Sequence, residues 1–239
     1  MNRRRILVHV SQGVLLVITA WTFGDVALNF DRRWATWVDY LLYRNAAASW
    51  LAGHGFYQSF QLAGPYPLSH RPQPILYPPV ALWLFVPFVY LPAVLWWAIP
   101  MATALSALWI LRPRGLVWVA LAMCAVWPST PQEFIDGNPV IWAWAAVWAG
   151  VVVAGPAGIA LFKPTMAPFA LVGIRNRRWW LVIGAGLLAA VPFGGMWLDY
   201  LEVSRNLQAP WLYFVYDVPL MAMPVLAWAG RSPRVRAPR

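Results

Sequence analysis

Residues 3–23 read RRRILVHVSQGVLLVITAWTF, three arginines followed by 18 largely apolar residues. Eighteen residues of α-helix rise about 27 Å, close to the thickness of the hydrocarbon core of a bilayer. The apolar run is longer than the core of a signal peptide, and no small-residue cleavage motif follows it. We therefore predict an uncleaved first membrane helix over Ile6–Phe23, with its arginines in the cytoplasm.

The composition extends this interpretation to the whole chain. Of its 239 residues, 61% are hydrophobic and 11% are charged, whereas about a quarter of the residues of a soluble domain are charged. The 18 tryptophans and 22 prolines are typical of membrane proteins. We predict an all-α polytopic membrane protein that forms a single domain over residues 1–239. Further crossings are expected at 93–111, 116–130, 138–154, 179–198 and 211–230.

The charged residues predict a topology. The net charge is +10, but the arginines form short clusters between apolar segments, which is the pattern of topology signals and not of a nucleic-acid surface. We expect membrane lipid, and no nucleic acid, as a partner. Twelve basic residues are predicted on the cytoplasmic side: Arg3, Arg4, Arg5, Arg112, Arg114, Arg175, Arg177, Arg178, Arg231, Arg234, Arg236 and Arg239. All eight acids then lie on the extracytoplasmic side: Asp25, Asp31, Asp39, Glu133, Asp136, Asp199, Glu202 and Asp217. This segregation predicts chemistry on the outer face.

Two apolar stretches do not fit a simple crossing. Val80–Leu91 is too short to span a bilayer and is bounded by prolines, so we expect it to dip into or lie along the outer face, within an outer region at 24–92. Residues 138–174 are too few for three crossings. We predict one crossing and a re-entrant hairpin at about 156–174, with Gly155-Pro156 as the inner turn and Lys163-Pro164 at the tip.

Asp39 is the candidate catalytic residue. Residues 34–52 are predicted to form a helix that ends at Gly53 and Gly55, and this helix places Asp39 and Tyr43 on one face. A partly desolvated carboxylate there would have a raised pKa and could accept a proton from a hydroxyl group. The alternative is a solvated acid in an outer loop.

Lys163 is the only lysine in the chain, and it follows an apolar segment. A charge at this depth in a membrane is costly and requires a partner or a function. An ammonium group that faces a cavity is suited to bind phosphate. The alternative is a lysine whose charged end reaches an interface.

The loop 53–79 and the start of the helix predicted at 138–154 supply further candidates. Aromatic and forked-donor side chains suit sugars and phosphates, and we predict Arg71 as a second phosphate ligand. The predicted substrate contacts are Tyr43, His54, Tyr77, Asp136 and Asn138. Helix capping is an alternative role for Asp136 and Asn138. His54 and His70 lack partners at metal-ligand spacing, so no metal site is predicted.

These motifs, in this order, resemble those of the polyprenyl-phosphate-sugar-dependent glycosyltransferases of the GT-C fold, particularly glycosyltransferase family 87. The matching stretches are 39–43, Gly53 with Phe56 and Tyr57, 75–79, 137–138 and 162–164. The resemblance covers about residues 39–205. Members of the family are commonly longer, and Asn138 stands where glutamine is more often found.

The resemblance implies a GT-C-like helical bundle with outer juxtamembrane helices, among them the segment 80–91. It implies that Asp39 deprotonates an acceptor hydroxyl, which attacks the anomeric carbon of a polyprenyl-phosphate sugar with inversion. Lys163 would hold the donor phosphate. No cofactor and no metal would be required, and the acceptor would be a glycan or a glycolipid.

Two other functions remain open from the sequence. A carrier or transport protein for lipid-linked sugars would use polar groups within the membrane, of which Lys163 is the clearest. A non-catalytic membrane subunit of a larger enzyme is compatible with the short chain.

Overall fold

Proline and glycine divide the chain into helices that are mostly short. The computed structural model describes residues 3–28, 37–210 and 213–233, and these are mostly helical. The α-helices of this part of the chain are α1 (Arg3–Leu28), α2 (Val38–Leu51), α3 (Ser59–Ala63), α4 (Leu82–Phe85), α5 (Pro87–Tyr90), α6 (Val94–Leu111), α7 (Val117–Val126), α8 (Ser129–Asp136), α9 (Val140–Val153), α10 (Ala167–Ala170), α11 (Arg177–Ala190), α12 (Met196–Asn206) and α13 (Val218–Ala229).

Short 3-10 helices and one small sheet complete the fold of the described residues. The 3-10 helices are Pro79–Ala81, Pro156–Phe162, Pro164–Met166, Val191–Phe193 and Tyr213–Asp217. Strands β1 (Tyr66–Pro67) and β2 (Leu207–Gln208) pair in parallel, so the expectation of a purely α-helical chain misses this pairing. Predictions for Asp31, Trp34, Trp211, Arg234, Arg236 and Arg239 fall outside the described residues.

Two helices among the described residues are long and apolar enough to cross a membrane. They are α1, over Arg5–Thr22, and α6, over Val94–Leu111. Helices α11 and α12 meet the same test only as a pair, and they are bent by 96° where they join. The other apolar helices are shorter than the length expected of a crossing. By length and composition, the described residues hold two or three candidate spans, fewer than the six crossings predicted.

Two of the predicted segments are divided into shorter helices at identifiable residues. The segment predicted at 116–130 ends at Val126, because Trp127 precedes Pro128 and adopts an extended ψ of 130°. The segment predicted at 179–198 ends at Ala190, and α12 begins in a new direction after a 3-10 turn and two glycines. Mean hydropathy cannot detect such breaks, because the residues on both sides of each break are apolar.

The segment 156–174 returns along α9. A Cβ atom added to Gly150 would lie 2.4 Å from the Cβ of Ala157, so the 3-10 helix Pro156–Phe162 packs directly on α9. Further along, a Cβ added to Gly173 would lie 2.5 Å from the carbonyl oxygen of Ala154. Residues 154 and 173 are therefore neighbours, and Lys163 lies at the far end of the excursion between them.

Two arginines at helix ends, Arg114 after α6 and Arg178 in the first turn of α11, lie at the same end of the molecule. Helices α6 and α9 pack together and begin side by side, because Trp96 Nε1 donates to the carbonyl of Gly137. At their other ends, the Arg114 amide donates to the carbonyl of Gly230, which follows α13, and Arg178 packs beside the turn after α9. Since α6 has 18 residues, its two ends are about 27 Å apart.

A buried glutamine fixes the loop that follows α2. Gln61 is fully buried and bonds both backbone polar groups of Ile75 through its amide, with N···O distances of 3.0 and 3.1 Å. Asn206, at the end of α12, donates to the backbone carbonyl of Gln61, and the Tyr66 hydroxyl donates to the carbonyl of Val203. These bonds tie the loop to α12 and bring its later part over the start of α9.

Candidate active site

Helix α2 carries Asp39 in its first turn. The helix begins one residue after Trp37, which has a left-handed φ of 65° and donates its backbone N–H to the carbonyl of Ile135 in α8. Tyr43, one turn further along α2, is buried and points into the same cavity as Asp39. The start of α2 is thus fixed against α8, and this contact gives the Asp39 carboxylate a defined position.

Aromatic residues hold α2, α6 and the turn between α8 and α9 together. Tyr40 packs against both Trp96 and Trp97, with ring centroids 5.5 and 5.3 Å apart. Trp97 Nε1 donates to the carbonyl of Phe134, as Trp96 does to that of Gly137. Gly137 has a left-handed φ of 68°, and a Cβ atom there would lie 2.8 Å from Tyr40 and from Trp97. Only glycine fits this turn, which places the next residue beside Asp39.

Asn138 connects three elements through its side-chain amide. Its Oδ1 accepts from the backbone N–H of Val140 at 2.9 Å and from the Tyr77 hydroxyl at 3.0 Å. The Val140 N–H can only donate, so the amide orientation is determined, and Nδ2 must be the atom that faces Asp39. That atom donates to Asp39 Oδ2 at 2.5 Å. Asn138 therefore caps α9 and orients the carboxylate at the same time.

Lys163 lies between two 3-10 helices and forms an ion pair. Its backbone is extended (φ −112°, ψ 91°), as expected for a residue before proline. Its Nζ lies 2.7 Å from Asp217 Oδ2, and the two side chains are 14% and 11% exposed. Lys163 Nζ also lies 5.9 Å from the centroid of the Tyr77 ring. A charge in an apolar protein is thus balanced by a partner that is itself largely buried.

A cavity of about 380 Å³ brings these groups together. Asp39, Tyr43, Tyr77, Asn138 and Lys163 all line it. The remaining lining residues are Leu42, Leu68, Gln73, Pro74, Leu76, Glu133, Pro164, Thr165, Tyr200, Tyr213, Tyr216 and Asp217. Its volume is within the range of small-molecule sites, and aromatic walls with a few convergent polar groups are typical of such sites.

The position of Asp39 makes it a weaker acid than usual. Its pKa rises from 3.8 to about 6, chiefly because burial removes water from the carboxylate and secondly because Asp136 is near. The hydrogen bond from Asn138 and the charge of Lys163 act in the opposite direction. Asp39 is therefore ionised at neutral pH and still basic enough to accept a proton.

Two buried polar atoms of the cavity have no hydrogen-bond partner among the described residues. They are Oε2 of Glu133 and the hydroxyl oxygen of Thr165. Burial raises the pKa of Glu133 well above its usual range, against the opposing charge of Lys163. Buried polar atoms are normally satisfied, so unpartnered atoms in one cavity are consistent with a polar ligand.

Three of the predicted site residues lie outside this cavity. Arg71 and His54 are exposed in the loop after α2, and neither lines the cavity. Asp136, the last residue of α8, accepts from Gln132 Nε2 at 2.9 Å through both carboxylate oxygens. The lining of this cavity thus includes neither the second phosphate ligand predicted at Arg71 nor the substrate contacts predicted at His54 and Asp136.

Glu133 and Asp217 are the two acids of the cavity to which the sequence assigned no individual role. Asp217 is the only acid after residue 206 and lies at the start of an apolar segment, where an ionisable group requires a partner just as Lys163 does. The two charges could have been paired on that ground. Glu133 gives no comparable signal, because an acid in the polar segment before α9 is unremarkable in sequence.

A second, larger cavity of about 780 Å³ lies on the other side of Phe162. It is lined by α6, α9, α11, the segment 80–84, the 3-10 helix Pro156–Phe162 and Trp197 of α12. Apart from Thr103, whose hydroxyl donates to the carbonyl of Ile99, its lining side chains are hydrophobic. The ring of Phe162 stacks on that of Tyr77 at 5.5 Å and separates the two cavities.

No protein-family model, curated protein or solved structure matches the chain. Among the described residues, no group of three or more His, Cys, Asp or Glu side chains is placed to hold a metal ion.

Proposed function

We propose that the protein is an integral-membrane glycosyltransferase that moves a sugar from a polyprenyl-phosphate donor to an acceptor hydroxyl, with inversion. One observation carries the proposal: the Asp39 carboxylate and the Lys163 ammonium group line the same cavity, with Asn138 fixing the first and Asp217 balancing the second. Such a transfer requires a base for the acceptor hydroxyl and a cation for the leaving phosphate, and both must face the same space.

In the proposed reaction, Asp39 accepts the proton of the acceptor hydroxyl. The acceptor oxygen attacks the anomeric carbon from the side opposite the phosphate, and the bond between that carbon and the phosphate oxygen breaks. Polyprenyl phosphate leaves with the bonding electrons, and its negative charge faces Lys163. Sugar hydroxyls and ring faces would pack against the tyrosines of the wall.

The apolar cavity supports a lipid-linked donor. Phe162 lines the apolar cavity, and the next residue, Lys163, lines the polar one. A molecule with a phosphate at Lys163 and a hydrocarbon chain directed past Phe162 would satisfy both surfaces. The free hydroxyl of Thr165 is a further donor for the phosphate.

The arrangement of charges agrees with an outer active site. Arg114 and Arg178 lie at the end of the molecule remote from the start of α6, where the cavity lies. If basic residues mark the cytoplasmic side, the N-terminus is cytoplasmic and the active face is extracytoplasmic, in a multi-pass cell-membrane protein.

The test is transfer activity of the protein in lipid nanodiscs. A panel of radiolabelled polyprenyl-phosphate hexoses and pentoses is supplied with total membrane glycolipid as acceptor, and new glycosidic products are measured. Asp39→Asn should lower the rate at least about a hundredfold, whereas Asp199→Asn, an exposed acid of α12, should leave it unchanged. An Asp39→Asn protein with the wild-type rate would eliminate the proposed base.

A transport protein is the second candidate, favoured by the ion pair between two broken segments. Lys163 and Asp217 both lie where a helix is interrupted, and broken helices with charged groups are typical of transporter sites. Movement of a polyprenyl-phosphate sugar between the leaflets of proteoliposomes, with no new glycosidic bond, would favour this function over transfer.

A further inference from the structure

Lys163 is already paired with a carboxylate in the cavity. Its Nζ lies 2.7 Å from Asp217 Oδ2, and both side chains are largely buried. The ammonium group has three N–H donors, but its single charge cannot neutralise two anions. If the site takes a phosphate, as proposed above, that phosphate and Asp217 compete for the same charge.

The charges of the cavity sharpen this conflict. Among the residues that the structure describes, three carboxyl groups, Asp39, Glu133 and Asp217, and one cation, Lys163, line it. An added phosphodiester brings one more negative charge into a space with little water, where like charges interact strongly. Binding therefore requires a rearrangement that leaves Asp217 with a new partner.

Glu133 is placed to be that partner. It lines the same cavity as Asp217, and its buried Oε2 has no hydrogen-bond partner among the described residues. Two carboxylates are both acceptors, so a hydrogen bond between them needs a proton. A carboxyl group that is buried beside other acids keeps its proton more readily than an exposed one.

We propose that Asp217 is an internal competitor for the phosphate position at Lys163, and that an incoming phosphate displaces it onto the protonated carboxyl of Glu133. This inference rests on the proposed function, because it assumes a phosphate ligand at Lys163. It adds a specific role for two acids: Asp217 keeps the lysine in place until the donor arrives, and Glu133 receives Asp217 when the phosphate replaces it.

The displaced arrangement depends on pH. The charged and titratable groups around Asp217 are Lys163, Glu133, Asp39, Tyr77 and Tyr213. Of these, Glu133 is the acid that must hold a proton to receive Asp217. The complex therefore binds this proton more tightly than the free protein, and phosphate affinity falls as the pH rises through the titration of Glu133.

The test uses dihexyl phosphate, a phosphodiester that stays a monoanion over the range studied, with neutral trihexyl phosphate as the control. Binding to the purified full chain in nanodiscs is measured by calorimetry between pH 6 and pH 9. Asp217→Asn should bind the diester roughly tenfold more tightly. This factor is expected if the ion pair with Asp217 occupies Lys163 in about nine tenths of the free protein molecules. Lys163→Met should not bind it.

Glu133→Gln supplies a second, independent measurement, because it leaves the ion pair between Lys163 and Asp217 intact. It can be used even if Asp217→Asn does not fold. Glutamine offers a permanent N–H donor, so the affinity of this variant should not change with pH where that of the wild type falls. The inference would be overturned if Asp217→Asn bound the diester no more tightly than the wild type, or if Glu133→Gln showed the same pH dependence as the wild type. In either case, binding that depends on Lys163 would still support the proposed function. If neither the wild type nor Asp217→Asn prefers the diester to the triester, the phosphate site itself fails.

Discussion

Replacing Asp39 by asparagine should make the folded protein more stable at neutral pH. Burial raises the pKa of Asp39 from 3.8 to about 6, with the neighbouring acids adding to this effect and Asn138 and Lys163 opposing it. The difference of about two pH units corresponds to roughly 3 kcal/mol. Between pH 3.8 and 6 the folded protein binds more protons than the unfolded chain, so stability falls as the pH rises through this window, and the full cost is present above it.

The asparagine variant avoids this cost, because its amide does not ionise and can still accept the hydrogen bond from Asn138. Thermal unfolding in nanodiscs is followed by tryptophan fluorescence at pH 4 and pH 8. The variant should unfold about 6–12 °C above the wild type at pH 8, with most of the difference lost at pH 4. Asp199→Asn, at an exposed position, should differ little at either pH. An Asp39→Asn protein that is no more stable at pH 8, or equally stabilised at both pH values, would refute the desolvation argument.

Two further substitutions test how the site is held. Asn138→Asp keeps the oxygen that caps α9 but places a second carboxyl group against Asp39, so the acidic limb of the rate–pH profile should move upward from about 6 by about 1–3 pH units; an unchanged profile would contradict the hydrogen bond. Gly137→Ala should lower the free energy of unfolding by about 1–3 kcal/mol more than Gly53→Ala. Both glycines have a left-handed φ, but only a Cβ at Gly137 meets other atoms, and equal losses by urea titration would argue against that contact.

The helical character of the chain and two of its spans could be predicted from the sequence. The boundaries of the first and second predicted crossings agree with α1 and α6 to within a few residues at most of their ends, because each is a long apolar run with clear flanking signals. The segment predicted at 138–154 likewise agrees with α9 to within two residues. The ends of the helices predicted at 116–130 and 179–198 could not be predicted, because hydropathy windows average over Pro128 and over the glycines before α12. The pairing of β1 with β2 is set by contacts with α12 and leaves no local pattern.

The candidate site was predictable where one residue carried an unusual chemical signal. Asp39 and Lys163 stand out as charges next to apolar segments, and the structure brings both to one cavity. The partnership of Lys163 with Asp217 spans 54 positions, a separation over which a single sequence gives no contact information. Arg71 has the chemistry of a phosphate ligand, but it is exposed and lies outside the cavity, because residue type does not specify the direction of a loop.

The interruptions that shorten the helices also create the polar cavity. Each polar group at its centre comes from the end of a structural element: Asp39 from the first turn of α2, Asn138 from the turn before α9, Lys163 from between two 3-10 helices, and Asp217 from just before α13. Backbone N–H and C=O groups lack helical partners at such ends, so the chain is polar there even when its side chains are apolar. Convergence of four ends lets one polar space form within an otherwise apolar protein. An uninterrupted bundle of six long spans would have satisfied its backbone internally and would have had no comparable place for a base and a cation to face each other.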